Sequence, residues 1–302
     1  MVWIALAIVY VVWGSTYFAI AYVVQTMPPL LTAGVRFLLA GLLLAAWVGI
    51  RDRSALRVSL RQLAGAATVG VLLLAGANGL VNLGERTVPS GLAALIIASV
   101  PLWIVILRLL AGDRVGRDLI LGVTVGIVGV AVLVVPDGVS GLTDLAGLVM
   151  LVGAALMWAL GTFISPRLDM PPSTPASTAY QMIAAGVLLL PAGALLGELR
   201  GVDPSRFSTA SLLGLAYLVV FGSLVAFSAY TWLLKNAPVS LVSTYAYVNP
   251  VVAVFLGTIF LREPITPTML AGAALILAAV AFIVSRANVT RRQEVRRARA
   301  SP

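Results

Sequence analysis

Apolar residues fill ten long stretches of the chain, and short segments that often contain proline separate them. Each stretch has roughly the 17 to 25 residues that an α-helix needs to cross a bilayer. The pattern predicts an all-α membrane protein with ten transmembrane helices. The predicted spans are 2–24, 31–50, 63–83, 90–110, 118–135, 145–165, 178–197, 211–234, 239–260 and 267–285.

The second half of the chain repeats the first half about 145 to 150 residues later. Pro89 lies 12 residues before Pro101, and Pro238 lies 12 residues before Pro250. Because each copy holds an odd number of spans, the two copies must be inverted relative to each other, as in many secondary transporters. The predicted units are a first repeat at 1–137, a second repeat at 138–286 and a basic cytoplasmic tail at 287–302.

Charge is scarce and unevenly placed. Hydrophobic residues make up 61% of the 302 residues and charged residues 10%. If the N-terminus is inside, 15 of the 20 basic residues fall on the cytoplasmic side, so both termini are predicted to be cytoplasmic. The net charge of +9 is then a topology signal and not the mark of nucleic-acid binding. Contact with anionic lipid headgroups is the alternative role for the arginine-rich tail.

The chain contains neither cysteine nor histidine. This excludes disulfides, thiol catalysis and histidine-ligated metal. Nucleotide-binding and hydrolase motifs are also absent from the sequence. We therefore predict no enzyme activity, no catalytic residue, no cofactor and no metal site.

Several segments carry a family resemblance. They are WGSTYF from Trp13, PPL from Pro28 with AGVRFL from Ala33, NG at Asn78, VPSG from Val88 and STYAYVNPVVAVFLG from Ser243. Over nearly its whole length the chain resembles the EamA family of the drug/metabolite transporter superfamily, and in particular its bacterial inner-membrane permeases. The resemblance implies two inverted five-helix repeats. It also implies a central cavity lined mainly by spans one, three, four, six, eight and nine, and export of small metabolites or drugs.

Polar residues at helical spacing mark one face of the third span: Asn78, Asn82 and Glu85. Such side chains are costly in hydrocarbon and usually face a cavity or a partner. We expect Asn78 and Asn82 in a substrate cavity, with contact between helices as the alternative. Glu85 lies near the outer end of its span, where a solvated carboxylate is the alternative interpretation. A pair of Glu85 with Arg36 would form an outer gate, or couple transport to protons if Glu85 takes up a proton.

Aromatic and further polar residues lie on other faces of the predicted helices. Interfacial belts explain aromatic residues near span ends, but less well those near the membrane midplane. Stacking surfaces and amides together suit a small, partly apolar substrate such as an amino acid or an amphiphilic drug. The residues predicted to line the cavity in addition to the two asparagines are Trp13, Tyr17, Ser99, Trp103, Trp158, Tyr230, Tyr245 and Asn249.

Proline occurs in the middle of two repeat-related spans, at Pro101 and Pro250. Proline removes one helical hydrogen bond and frees a carbonyl. We expect the pair to act as hinges, with a static kink as the alternative. The ionisable residues do not recur: by the repeat register Arg36 corresponds to Gln181 and Glu85 to Leu234.

Three classes of function fit a polytopic membrane protein. A secondary exporter of small molecules, as a monomer or homodimer among membrane lipids, accounts best for the inverted repeat. A receptor, assembly partner or lipid-handling protein on the same fold is the alternative. An intramembrane enzyme is disfavoured, because the spans offer a single candidate carboxylate.

Overall fold

The computed structural model describes residues 1–113, 115–134, 144–200, 202–237, 239–242 and 244–300. Throughout these residues the regular structure is helical. The spans are numbered in chain order. Eight are written as one range each: span 1 is Val2–Thr26, span 2 Pro29–Arg51, span 3 Leu60–Gly84, span 4 Ser90–Leu110, span 5 Arg117–Val134, span 6 Leu145–Ile164, span 7 Thr174–Leu195 and span 10 Pro267–Ala300. Span 8 consists of the three consecutive pieces Thr209–Tyr217, Leu218–Val225 and Ala226–Asn236, and span 9 of the two pieces Val239–Val242 and Tyr245–Phe260.

The prediction of ten membrane-crossing helices is confirmed. Nine helices in the described part of the chain are long and apolar enough to cross a bilayer, and Tyr245–Phe260 is a shorter apolar helix. The helix of span 10 continues through most of the predicted tail to Ala300. The predicted repeat boundary, between residues 137 and 138, lies outside the described residues.

Helix contacts follow the repeat. Span 2 packs against its counterpart span 7, and span 5 packs against its counterpart span 10. The remaining contacts come in matched pairs, because span 1 packs on spans 8 and 9 while span 6 packs on spans 3 and 4. Span 1 and its counterpart span 6 therefore lie in equivalent environments, and in each case the neighbouring helices come from the other half of the protein.

The backbones of spans 3 and 7 come close together at Gly70. A Cβ atom added at Gly70 would lie 2.3 Å from the carbonyl oxygen of Gln181. Small residues let membrane helices bring their backbones together, which replaces the hydrophobic drive that lipid cannot supply. Large apolar side chains such as Leu42, Leu121 and Phe255 are exposed on the outer surface, as expected for contact with lipid tails.

Two spans contain a π-helical segment, in equivalent places. Val71–Asn78 lies in the middle of span 3, and Leu218–Val225 lies in the middle of span 8. π-Helical segments occur most often at functional sites, because the wider turn redirects side chains and changes the bonding of carbonyls. Their shared position indicates that both repeats distort the same helix.

Spans 4 and 9 are both interrupted, but at different positions. Span 4 breaks between Ile97 and Val100, so that Pro101 occupies the first turn of its second helix. Span 9 breaks ahead of Tyr245, and Pro250 lies inside the continuous helix that follows. The two prolines correspond in sequence and occupy different local conformations.

The loops after spans 2 and 7 share one turn. Asp52 accepts hydrogen bonds from the side chain and backbone of Ser54, and Asp203 does the same with Ser205. These bonds, led by those from the serine hydroxyls, lower the pKa of each exposed aspartate below its usual value. The repeat thus extends into the polar connections.

Candidate functional site

A cavity of about 450 Å³ lies in the middle of the bundle. Its wall reaches Arg108, Thr162, Val242 and Val284, which lie toward the face of the bundle that carries the N-terminus. At the other end the last wall residues are Ile20, Val81 and Ala94, which lie three to six residues inside the ends of their spans. The wall thus extends closer to the face that carries the N-terminus than to the opposite face. Besides the six predicted spans, the wall includes Arg36 and Phe37 of span 2 and Ile283 and Val284 of span 10.

Seven of the ten residues predicted for a cavity belong to this wall. They are Trp13, Tyr17, Asn78, Trp158, Tyr230, Tyr245 and Asn249. Pro101 and Pro250 line it as well. Asn82, Ser99 and Trp103 lie elsewhere: the amide of Asn82 bonds the carbonyl of Asn78, and the indole of Trp103 bonds the hydroxyl of Ser99. Those three side chains bond neighbours on their own spans.

Four rings form an aromatic cluster in the wall, centred on Trp13. The ring centroid of Trp13 lies 5.4 Å from that of Phe227, 5.0 Å from Tyr230 and 5.3 Å from Tyr245. Tyr230 and Tyr245 are also in edge contact, at 5.9 Å. These separations are in the range for favourable ring pairs. Spans 1, 8 and 9 thus present one continuous aromatic surface, the aromatic cluster.

Both π-helical segments supply carbonyls to side chains of the wall. The indole nitrogen of Trp13 donates to the carbonyl of Gly222, at 3.3 Å. The amide nitrogen of Asn78 donates to the carbonyl of Leu73, at 3.0 Å. Five residues separate Asn78 from Leu73, which fits a segment with wide turns. Asn249 bonds similarly when its amide nitrogen faces the carbonyls of Tyr245 and Tyr10.

Arg36 places a positive charge in the wall. Its side chain is buried, with 5% of its surface exposed, and its Nε donates to the hydroxyl of Ser223 at 3.1 Å. Its Nη1 is buried and has no acceptor among the described residues. Among the described residues of the wall no side chain is acidic, and the other arginine, Arg108, already pairs with Asp113. The charge of Arg36 is therefore uncompensated within the cavity.

Glu85 does not belong to the wall. It is buried, and within the described ranges neither of its carboxylate oxygens has a hydrogen-bond partner. The ion pairs in the described part of the chain join other residues, so Glu85 and Arg36 do not pair in this conformation. Its electrostatic neighbours are Tyr17 and Glu263.

Two carboxylates join the repeats at the closed end of the bundle. Glu263 accepts hydrogen bonds from the backbone amides of Ser90 and Gly91, at 2.7 and 3.0 Å, where span 4 begins. Glu198 accepts from the amides of Leu30 and Leu31, where span 2 begins. A carboxylate is favourable there because the first amides of a helix have no partners within the helix.

Sequence patterns missed part of the site. Gly222, Phe37 and Thr16 belong to the wall, yet none stands out by spacing or polarity. The sequence gives no signal for the two carboxylates either, because nothing local to Glu198 or Glu263 indicates a distant helix start. In the described residues, no group of three or more acidic side chains could hold a metal ion.

Apolar helices of membrane-crossing length around a one-sided cavity define a polytopic membrane protein of the transporter type. The chain belongs to the EamA-like transporter family, whose model matches residues 1–135 and 145–285. The resemblance read from the motifs is thereby confirmed.

Individual relatives agree with this family. An Escherichia coli K12 protein named "Uncharacterized inner membrane transporter YedA" is 40% identical over 255 residues, which are 84% of this chain and 81% of that protein. A Salmonella typhimurium protein named "Probable amino-acid metabolite efflux pump" is 27% identical over 295 residues, or 95% and 96% of the two chains. A crystal structure of a protein 21% identical shares the fold, with a TM-score of 0.63 over 96% of this chain and 98% of that one.

Proposed function

We propose that the protein is a secondary transporter of the bacterial inner membrane that exports small amino-acid-like metabolites or amphiphilic drugs by alternating access. The observation that carries this proposal is a cavity that reaches one face while carboxylates that cross between the repeats hold the other end. An inverted repeat allows the open end and the closed end of the cavity to be exchanged, because each half can adopt the arrangement of the other.

The direction of export rests on the orientation of the chain. The arginine-rich segments fall on the face that carries the N-terminus, which the positive-inside rule assigns to the cytoplasm. The cavity reaches that same face. In this conformation the transporter would therefore receive substrate from the cytoplasm.

The chemistry of the cavity supports a small, partly apolar substrate. Its wall combines the aromatic cluster with a few polar groups, a composition typical of small-molecule sites. The Salmonella typhimurium relative is named for amino-acid metabolite efflux, and the E. coli relative for an inner-membrane location. Both names agree with the proposed class of substrate and membrane.

Flux into proteoliposomes tests the function. Labelled amino acids and labelled amphiphilic drugs would be offered with and without an imposed pH gradient. A transporter moves at least one of them faster than empty liposomes do. Binding without movement would instead favour a receptor, assembly or lipid-handling protein on the same fold.

Proton coupling through Glu85 is a finer proposal. A carboxylate without hydrogen-bond donors is costly in a buried position when ionised, so Glu85 is well suited to take up a proton. Glu85→Gln should then abolish the dependence of flux on the pH gradient and keep exchange of substrate. Gradient-driven flux that persists in Glu85→Gln would refute this role.

A further inference from the structure

The cavity contains a cation whose counter-ion is missing from its wall. Arg36 lies seven residues past Pro29, which places it about 10 Å along span 2 from the start of the helix. A charged side chain at such depth is costly and usually pairs with another group. Its repeat counterpart Gln181 bonds Ser177 on its own helix and is not part of the wall. The charge therefore belongs to one repeat only.

The position of the guanidinium is fixed by a contact within span 2 and by contacts with span 8. Ser223 holds Nε, and Phe37 lies beneath the group with its ring centroid 4.8 Å from Cζ. Nη2 lies 3.3 Å from the point where a Cβ of Gly222 would stand. A group held in this way needs little ordering when an anion arrives, which favours binding.

Gly222 also connects the cation to the aromatic cluster. Its carbonyl accepts the indole hydrogen of Trp13, while its missing side chain leaves room for Nη2 of Arg36. The guanidinium of Arg36 and a flat apolar surface thus meet at one residue of the cavity wall. A molecule that occupies both would carry its anionic group next to its apolar body.

We propose that Arg36 binds the carboxylate of the transported molecule while the aromatic cluster binds its apolar body, so that the substrates are small carboxylates with a flat apolar group. This inference rests on the proposed function and narrows its substrate class. Guanidinium and carboxylate form charge-assisted hydrogen bonds that a neutral group cannot replace. Cationic amphiphiles are disfavoured, because the described wall offers them no acid and the charge of Arg36 repels them.

Binding to the purified protein tests the inference with three probes that share one phenylethyl core. Phenylpropionate carries only the carboxylate, phenethylamine only the cation, and phenylalanine carries both. Phenylpropionate and phenylalanine should bind more tightly than phenethylamine. Arg36→Gln should weaken both carboxylates by about tenfold or more, since each lost bond is charge-assisted. Arg36→Lys keeps the charge without the planar pair of donors. Its affinity for the carboxylates should lie between those of the unchanged protein and Arg36→Gln.

Arg86→Gln is the matched control, because it removes an exposed arginine. It should leave all three affinities within about twofold, a change well below that of one charge-assisted bond. The inference is overturned if phenethylamine binds best, if neither carboxylate binds, or if Arg36→Gln keeps the preference for carboxylates. Carboxylate binding without flux in proteoliposomes would overturn the proposed function alone.

Discussion

At the scale of single residues, the cavity depends on contacts that combine a polar bond with an apolar surface. Trp13 shows this most clearly. Its ring contacts three other aromatic rings, and its only polar atom is satisfied by the carbonyl of Gly222. Tryptophan suits such a place because a large apolar body carries one donor that needs a partner.

Truncation of Trp13 should therefore affect both stability and binding. Trp13→Ala should destabilise the protein by about 3–5 kcal/mol, as is usual for the loss of a large packed side chain. Trp13→Phe keeps a ring and loses the indole bond, so it should cost about 1 kcal/mol. Denaturation of the purified protein would measure both values.

Trp3 provides the control for that measurement. It lies on the same helix as Trp13, and 73% of its surface is exposed. Trp3→Ala should change stability by less than about 0.5 kcal/mol, as surface substitutions do. Equal losses for the two tryptophans would contradict the packing role of the aromatic cluster.

The sequence predicts which residues lie in the cavity better than it predicts which side chains they bond. Trp13, Tyr245 and Asn249 could be placed near the midplane by counting along each span. Whether Arg36 faces Glu85 or Ser223 depends on the packing of spans 2, 3 and 8, which the pattern of a single helix does not contain. Ser223 comes from a π-helical segment, and bonding with a wide turn leaves no mark in hydrophobic periodicity.

At the scale of helices, spans 3 and 7 show how closely helices of opposite repeats can pack. Gly70→Ala would put a Cβ 2.3 Å from the Gln181 carbonyl, which is backbone and cannot rotate away. We expect a loss of about 1–3 kcal/mol or more, the usual cost of overpacking. Thermal unfolding in detergent would measure this as a lowered midpoint.

Gly153→Ala in span 6 is the matched control. Its added Cβ would lie 3.5 Å from Leu80, which is ordinary contact. Alanine is favoured over glycine inside a helix by about 0.5–1 kcal/mol, so this variant should be neutral or stabilised. If both alanine variants melt alike, close packing at Gly70 is not what holds the two spans together.

The end of span 9 contains a strained residue. Arg262 has φ 57°, and it is the one non-glycine residue with positive φ in the described ranges. The left-handed conformation costs about 1–2 kcal/mol, whereas glycine costs about 0.4–1 kcal/mol through the unfolded chain. Arg262→Gly should therefore stabilise the protein by about 0.5–1 kcal/mol in denaturant unfolding.

Arg86→Gly separates strain from the loss of an exposed arginine. Arg86 has no positive φ, so glycine there brings only its entropic cost. This variant should be slightly destabilised. If Arg262→Gly loses as much stability as Arg86→Gly, the left-handed conformation stores no strain that glycine can relieve.

At the scale of the whole molecule, the repeat in the sequence predicts the architecture but not the conformation. The matched prolines and the odd number of spans predict two inverted halves, and the packing of span 2 on span 7 follows that symmetry. Two inverted repeats are equally compatible with a cavity that reaches one face and with a cavity that reaches the other. Which face is closed depends on contacts such as those of Glu263 and Glu198, which join residues more than one hundred positions apart.

Glu263 should hold the outer end closed. Its carboxylate bonds two amides of span 4, and charge-assisted bonds contribute about 1.5–3 kcal/mol each. Glu263→Gln keeps the size of the side chain and loses the charge, so the outward-open population should rise about tenfold or more.

The absence of native cysteine makes this change measurable with a single reporter. Ile20→Cys lies in the cavity wall near the closed end. In the proposed orientation, a membrane-impermeant maleimide added to intact cells reaches it only when that end opens. Labelling should be slow in the otherwise unchanged protein and about tenfold faster with Glu263→Gln. Asp203→Asn neutralises a carboxylate whose bonds, in the part of the chain that the structure describes, stay within its own loop, so this variant should leave the rate unchanged. Equal labelling in all three backgrounds would mean that Glu263 is a helix cap alone, and that other contacts between the repeats close the outer end.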